Sequence, residues 1–205
     1  MPSTTFLLTC LLVALSPGTG VVYTVSTGLS QGRRASLFAA LGCTAGILPH
    51  LAATLCGLAA LLHASALAFQ GLKWAGVAYL LYVGWGTWKD RTLLAVDVGA
   101  PRRSAGQVAL RAILLNLLNP KLTLFFLAFL PQFVNPRAPG FPQLVLLSTI
   151  FMAVTFFVFA AYGILAHAFR RRVAESVRVQ GWMRRGFSAG YAALALDLAL
   201  AKDTP

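Results

Sequence analysis

The sequence predicts an all-α polytopic membrane protein: six transmembrane helices in two inverted three-helix repeats, with helices one and four broken in mid-membrane. Three observations predict it. Hydrophobic residues make up 58% of the 205 and charged residues 11%, at a mean hydropathy of +0.75, more apolar surface than a soluble fold of this length can hide. No Lys, Arg, Asp or Glu occurs from Met1 to Gly32, from Ala35 to Leu72 or from Ala138 to Phe169. Each gap exceeds the roughly 20 residues that cross a hydrocarbon core of about 30 Å. A proline-centred polar motif also interrupts two of the apolar runs at matching places, three spans apart.

Charge gaps, Gly/Pro clusters and Arg clusters together put the spans near Thr4–Gly28, Ser36–Leu62, Leu67–Trp88, Val108–Phe133, Phe141–His167 and Gly186–Ala201, the last being short. The first has no basic n-region, runs too long for a secretory signal and carries Pro17 in its middle, so it reads as a retained helix. The whole chain, 1–205, is one transmembrane domain: a first repeat over about 1–90, a cytoplasmic linker over about 89–107 and a second repeat over about 108–205.

Six spans place both chain ends on one side. The loops on the other side hold Arg33 and Arg34, then Lys89, Arg91, Arg102 and Arg103, then Arg170, Arg171, Arg172, Arg178, Arg184 and Arg185, against only Arg137 and Lys202 opposite. The positive-inside rule therefore predicts both termini outside the cytoplasm of a bacterial inner membrane. The same asymmetry accounts for the net charge of +12, which in a soluble chain would favour nucleic acid and here belongs to short loops beside lipid headgroups. Trp85, Trp88 and Trp182 fall near predicted span ends, where interfacial aromatics anchor. Cys10, Cys43 and Cys56 lie inside apolar spans without a paired motif or clustered ligands, which speaks against disulfides, a metal site and a cofactor.

The motifs that carry chemistry are Leu15-Ser16-Pro17-Gly18 in span one and Leu118-Asn119-Pro120-Lys121 in span four. Ser-Pro and Asn-Pro both start helices, because the side chain caps free N–H groups and proline suits the first helical turn. Each span then reads as two half-helices. With opposed repeats, the positive ends of both second halves converge at mid-membrane, an arrangement that holds anionic groups such as carboxylates. Prolines also kink membrane helices without binding anything. The matched positions, and the charge beside one of them, favour a site. Lys121 lies deep in the apolar run Ala112–Val134, where a charged lysine costs roughly 2.5–3.5 kcal/mol. That cost calls for a partner or a polar cavity, with Lys121 either pairing with a substrate carboxylate or exchanging protons.

The predicted substrate and coupling residues are Ser16, Pro17, Gly18, Thr19, Asn116, Asn119, Pro120 and Lys121, with His50, Tyr79 and Asp197 as further candidates to line the cavity. Tyr162 is another polar tip in an apolar span, Lys73 and Arg111 can snorkel from helix starts, and Gly42/Gly46 and Gly186/Gly190 have the spacing of close helix packing.

Nearly the whole chain resembles the LysE/RhtB superfamily of bacterial amino-acid exporters. The resemblance runs through Ser16-Pro17-Gly18, Gly28, Gly32-Arg33-Arg34, Gly42 to His50, Lys73-x-x-Gly76-x-x-Tyr79-Leu80 and Gly84-Trp85. Its most specific part is Asn116-Leu117-Leu118-Asn119-Pro120-Lys121 followed by Phe129-Leu130-Pro131-Gln132-Phe133. It implies a small six-helix translocator, taken to be a homodimer, exporting amino acids or related small metabolites on the proton gradient. One departure is Thr19, where the family has a second proline; it relaxes the break and adds a hydroxyl.

Two other function classes are weighed. A thiol-redox conduit needs a cysteine in each half, and span four has none; a divalent-metal exporter needs carboxylates, and the chain has five Asp and Glu in all. No G-x-S-x-G, H-E-x-x-H or P-loop is present, so the sequence predicts a transporter and not an enzyme.

Overall fold

The computed structural model describes residues 3–16, 18–62, 66–89, 103–135, 137–169 and 176–200, with the backbone alone for 57–62, 66–69, 72, 177, 180 and 197. Those residues are mostly helical, with turns at the breaks and no strand among them. In chain order they form α1 (Thr4–Leu15), α2 (Thr19–Gln31), α3 (Arg33–Ala45), α4 (Leu48–Leu62), α5 (Ala66–Lys89), α6 (Ala105–Leu117), α7 (Pro120–Leu124), α8 (Gly140–Ala168) and α9 (Val177–Leu200). From α7 the chain continues through a π-helical turn, Phe125–Phe129, into a 3₁₀ turn, Leu130–Phe133.

Local chemistry explains the boundaries. Ser3 caps α1, its hydroxyl accepting from Phe6 N–H at 3.1 Å, and Ser104 with Gln107 forms a reciprocal capping box at the start of α6. The tight corner between α2 and α3 turns on Gly32, whose φ of 94° strains any residue with a Cβ. Between α3 and α4, Pro49 lacks an N–H and crowds the carbonyl four residues back, which interrupts the ladder at Gly46 and Ile47 without ending the span.

Arg33–Cys56 and Gly140–Ala168 are each long and apolar enough to cross a membrane. So are the pairs α1 with α2, bent by 55°, and α6 with α7 and its continuation, bent by 50°. These are the two spans in which the sequence places its breaks. Large apolar side chains such as Leu8, Tyr82, Leu118 and Phe157 face outward, as expected of helices whose solvent is lipid.

The last helix corrects one boundary. It begins at Val177, well before the predicted Gly186, so Trp182, Arg184 and Arg185 lie within it rather than in a loop. Arg, Gln and Met are good helix formers, and the helix continues past the apolar segment that alone marks it in the sequence.

Small residues set the closest approaches. Gly28 lies against the backbone of Gly163, and Gly42 against that of Ala109, each so near that a Cβ on the first would overlap the second. Gly46 lies as tightly on Ile113, so the Gly42/Gly46 pair is a packing surface for α6. Gly186 meets nothing within 4 Å, and the second glycine pair is not one. Helices α5 and α9 form their own pair, Ser188 Oγ donating to Gly84 O at 2.8 Å. Two apolar clusters fill the interior, one around Phe6, Phe125, Phe126 and Phe151, the other around Val21, Val25, Cys43 and Phe159. The helix breaks meet between them.

Candidate functional site

The site is built from the ends of four half-helices. Helix α1 stops at Leu15, and Ser16 turns its hydroxyl back to donate to Val13 O at 2.9 Å. Ser16 thus finishes α1 instead of capping α2; the residue before α2 is Gly18, which has no side chain to offer. Pro17 lies outside the described residues. In the other broken span the Asn-Pro start forms as expected: Asn119 Oδ1 accepts from Lys121 N–H at 3.1 Å, and Pro120 takes the first helical position.

Lys121 crosses from α7 to the end of α1. Its ammonium donates to Ser16 O at 2.7 Å, Val13 O at 2.9 Å and Ser16 Oγ at 3.4 Å, while the residue is only 6% exposed. The unpaired carbonyls that end a helix carry roughly half a negative charge, and a cation there answers both the dipole and the open acceptors. The two breaks are in contact, then, but the ammonium sits on the negative end of the first half-helix rather than between two positive ends.

Asn116 ties the other side together. Its Nδ2 donates to Cys43 O at 2.6 Å, and its Oδ1 accepts from Asn119 Nδ2 at 3.2 Å. His50 meets the Asn116 carbonyl at 3.1 Å through Nε2, Thr19 Oγ1 donates to Leu115 O at 3.1 Å and Tyr162 OH donates to Leu15 O at 2.9 Å. Each of these side chains bonds a backbone carbonyl near a helix break, where the regular helical ladder is interrupted.

Two glycines make room. A Cβ on Gly20 would lie 2.7 Å from Asn116 Oδ1 and 2.9 Å from Phe159; one on Gly18 would lie 3.2 Å from Asn119 Nδ2 and 3.2 Å from Lys121 Cε. Between them is a cavity of about 10 Å³, lined by Val13, Ala14, Gly18, Gly20, Val21, Asn116, Asn119, Lys121, Leu122, Phe151, Thr155 and Phe159. That is the room of about one water molecule, against the roughly 300–1,000 Å³ of a small-molecule pocket. The site is assembled but too small in this state to hold a solute.

Of the predicted residues, Ser16, Gly18, Thr19, Asn116, Asn119, Pro120, Lys121 and His50 gather at this crossing. Tyr79 does not line the cavity; it sits on α5, which packs chiefly against α9. Asp197 falls on α9, and its side chain lies outside the described residues. Sequence reasoning missed Val13, Gly20, Phe151, Thr155 and Phe159. Val13 acts through its carbonyl, which no side chain announces, and the others lie in runs of nearly uniform apolarity.

Over 197 residues, 96% of each chain, the sequence is 34% identical to an uncharacterized membrane protein of Vibrio cholerae. It is 36% identical to a homoserine/homoserine lactone efflux protein of Salmonella typhimurium over 161 residues, 78% of each chain. With a leucine efflux protein of Klebsiella pneumoniae it shares 28% identity over 180 residues, 84% of this chain and 82% of the other. No solved structure matches. Residues 11–202 match the LysE type translocator family, and with the efflux relatives and the apolar broken helices this makes the chain a membrane protein belonging to that family.

Proposed function

We propose that this protein exports an amino acid or a related small metabolite across the bacterial inner membrane, with the crossing of the two helix breaks as its binding site. One observation carries the reading: among the described residues, the buried Lys121 ammonium is held by groups a solute could replace, two carbonyls and one hydroxyl at the end of α1. A zwitterion brings both signs of charge. Its ammonium can take the Val13 and Ser16 carbonyls, which releases Lys121 to meet its carboxylate beside the uncapped start of α2. Solute binding then exchanges partners instead of stranding a charge, and an empty site keeps Lys121 paired. The efflux relatives are named for homoserine and homoserine lactone and for leucine, and of these homoserine and leucine are zwitterions.

The transport cycle in this reading is alternating access between two inverted repeats of three spans each, driven by protons, with both termini outside the cytoplasm and a homodimer as the assembly. Support for the inverted repeat comes from the packing. Helix α3 lies on α6, the first half of span four, and α8 lies on α1, the first half of span one, so exchanging the repeats exchanges the two contacts.

The test is counterflow of labelled homoserine and leucine in proteoliposomes. Lys121→Met removes the charge while keeping length and should abolish counterflow in a protein that still elutes as a folded species. Lys121→Met at wild-type rate would remove the exchange of partners and the site with it.

A further inference from the structure

Two hydroxyls on α8 stand apart from the other helical Ser and Thr side chains. Thr24, Thr27, Thr44, Thr54 and Thr149 each fold back on the carbonyl four residues earlier, at 2.7–2.9 Å. Thr155 and Ser148, 2% and 0% exposed, have hydroxyl oxygens without a hydrogen-bond partner. A buried hydroxyl left unanswered is costly, because it has given up its hydrogen bonds to water without replacing them. Thr155 lines the Lys121 cavity. Ser148 lies seven residues earlier, so two helical turns, about 10.5 Å, separate them on one face.

Toward its start, α8 borders a second opening. Gln143, Leu146 and Leu147, with Ser3, Gln132 and Asn135, line an open mouth of about 360 Å³, within the range that holds a small molecule. Leu147 belongs to the mouth and Phe151 to the inner cavity, so one turn of α8 divides them, and Ser148 lies within that turn. The partition is aromatic. The Phe151 ring stacks on Phe125 with centroids 4.1 Å apart and meets Phe126 edge-on at 5.9 Å. Both partners belong to the π-helical turn after α7, and such turns concentrate where helices do functional work.

We propose that the solute passes between the cavity and this mouth along the buried face of α8, Thr155 and then Ser148 supplying hydroxyl contacts, with Phe151 as the barrier between them. The proposal rests on the exporter reading for the identity of the cargo and on the structure alone for the route. A zwitterion leaving Lys121 must exchange hydrogen bonds as it moves, and these two hydroxyls lie on α8 between the cavity and the mouth with no protein group already bonded to them. Thr155 is a solute contact; Phe151 controls access to it.

The experiment is thiol accessibility. Thr155→Cys and Ser148→Cys are nearly isosteric, and each is treated with the charged aqueous reagent MTSET added from the mouth side, scored above the reactivity of native Cys10, Cys43 and Cys56. Thr149→Cys, on the outer face of the same helix, is the lipid-facing control. Ser148→Cys should react, and Thr155→Cys should react at least about tenfold faster once Phe151→Ala is added. Labelling of both positions no faster than Thr149→Cys, with Phe151→Ala present, would overturn the route. Thr155→Val should raise the KM for homoserine counterflow while Thr155→Ser retains it; equal KM values for both would remove Thr155 as a contact. Absence of homoserine and leucine transport in the wild type would count against the exporter reading and leave the labelling result intact.

Discussion

Asn116 answers two needs with its side-chain amide, a carbonyl of α3 and the capping asparagine of α7, and meets His50 through its backbone carbonyl. Asn116→Ala leaves Cys43 O and Asn119 Nδ2 without those partners. At about 1–3 kcal/mol for each buried polar group left open, the variant should melt several degrees lower in detergent and transport poorly. A melting temperature equal to wild type would mean the amide is dispensable. Gly20 and Gly18 make a paired test of space. Gly20→Ala presses on a side-chain oxygen at 2.7 Å and a packed ring at 2.9 Å, whereas Gly18→Ala comes no nearer than 3.2 Å to Asn119 Nδ2 and the end of Lys121. Counterflow should fall at least about tenfold in Gly20→Ala and much less in Gly18→Ala; equal losses would mean that crowding alone does not explain the cavity. Lys121 stood out in the sequence because a charge in an apolar run demands a partner, and Asn119 because Asn-Pro starts a helix; nothing in the apolar run itself set Asn116 apart from Tyr79 or Tyr162. Thr155 was not legible: it lies in a helix apolar on every side, with no polar stripe to show which way it faces.

Between elements, proline and glycine carried the information that the sequence could express. Asn119-Pro120 predicted a helix start and one formed. Ser16-Pro17 carried the same prediction, yet the hydroxyl turned back to α1 because a carbonyl three residues earlier was within reach. Side-chain capping was legible as a capacity, while the competition between two helix ends for one hydroxyl is settled only by packing. The start of α9 was hidden for a related reason, since polar helix formers outside the apolar zone look the same as a loop. Glycine spacing was half informative: Gly42 and Gly46 seat α6, but Gly186 faces open space. The contact of Gly28 with Gly163, joining α2 to α8, spans the two repeats and leaves no volume for a side chain. Gly28→Leu should therefore lose expression or melt well below wild type, by more than the 1–3 kcal/mol typical of overpacking. Gly186→Leu should be neutral, and equal destabilisation of the two would mean that this contact does not hold α2 against α8.

At the scale of the molecule, the two ends differ in charge, and the structure joins segments that the sequence lists far apart. Gln31 Oε1 accepts from Arg103 N–H at 2.8 Å, and Gly32 lies beside His167 at the end of α8. The corner holding Arg33 and Arg34, the start of α6 and the chain leading into Arg170 therefore share one end. The opposite end presents Ser3, Asn135 and Gln143 around the open mouth. Lys and Arg in short loops are retained on the cytoplasmic side during insertion, where the potential and the anionic leaflet both favour them. The arginine-bearing end should face the cytoplasm, which turns the mouth outward and makes the α8 route an exit. Alkaline phosphatase, active only after export, should be active when fused behind Lys202, and a fluorescent protein that matures only in the cytoplasm should stay dark at the same position. The reverse pattern would invert the molecule, and the exit proposed along α8 would become an entrance. Replacing Arg33, Arg34, Arg102 and Arg103 together by Asn should weaken the phosphatase signal by letting a second orientation insert, since those four charges make up much of the bias carried by the first two basic loops.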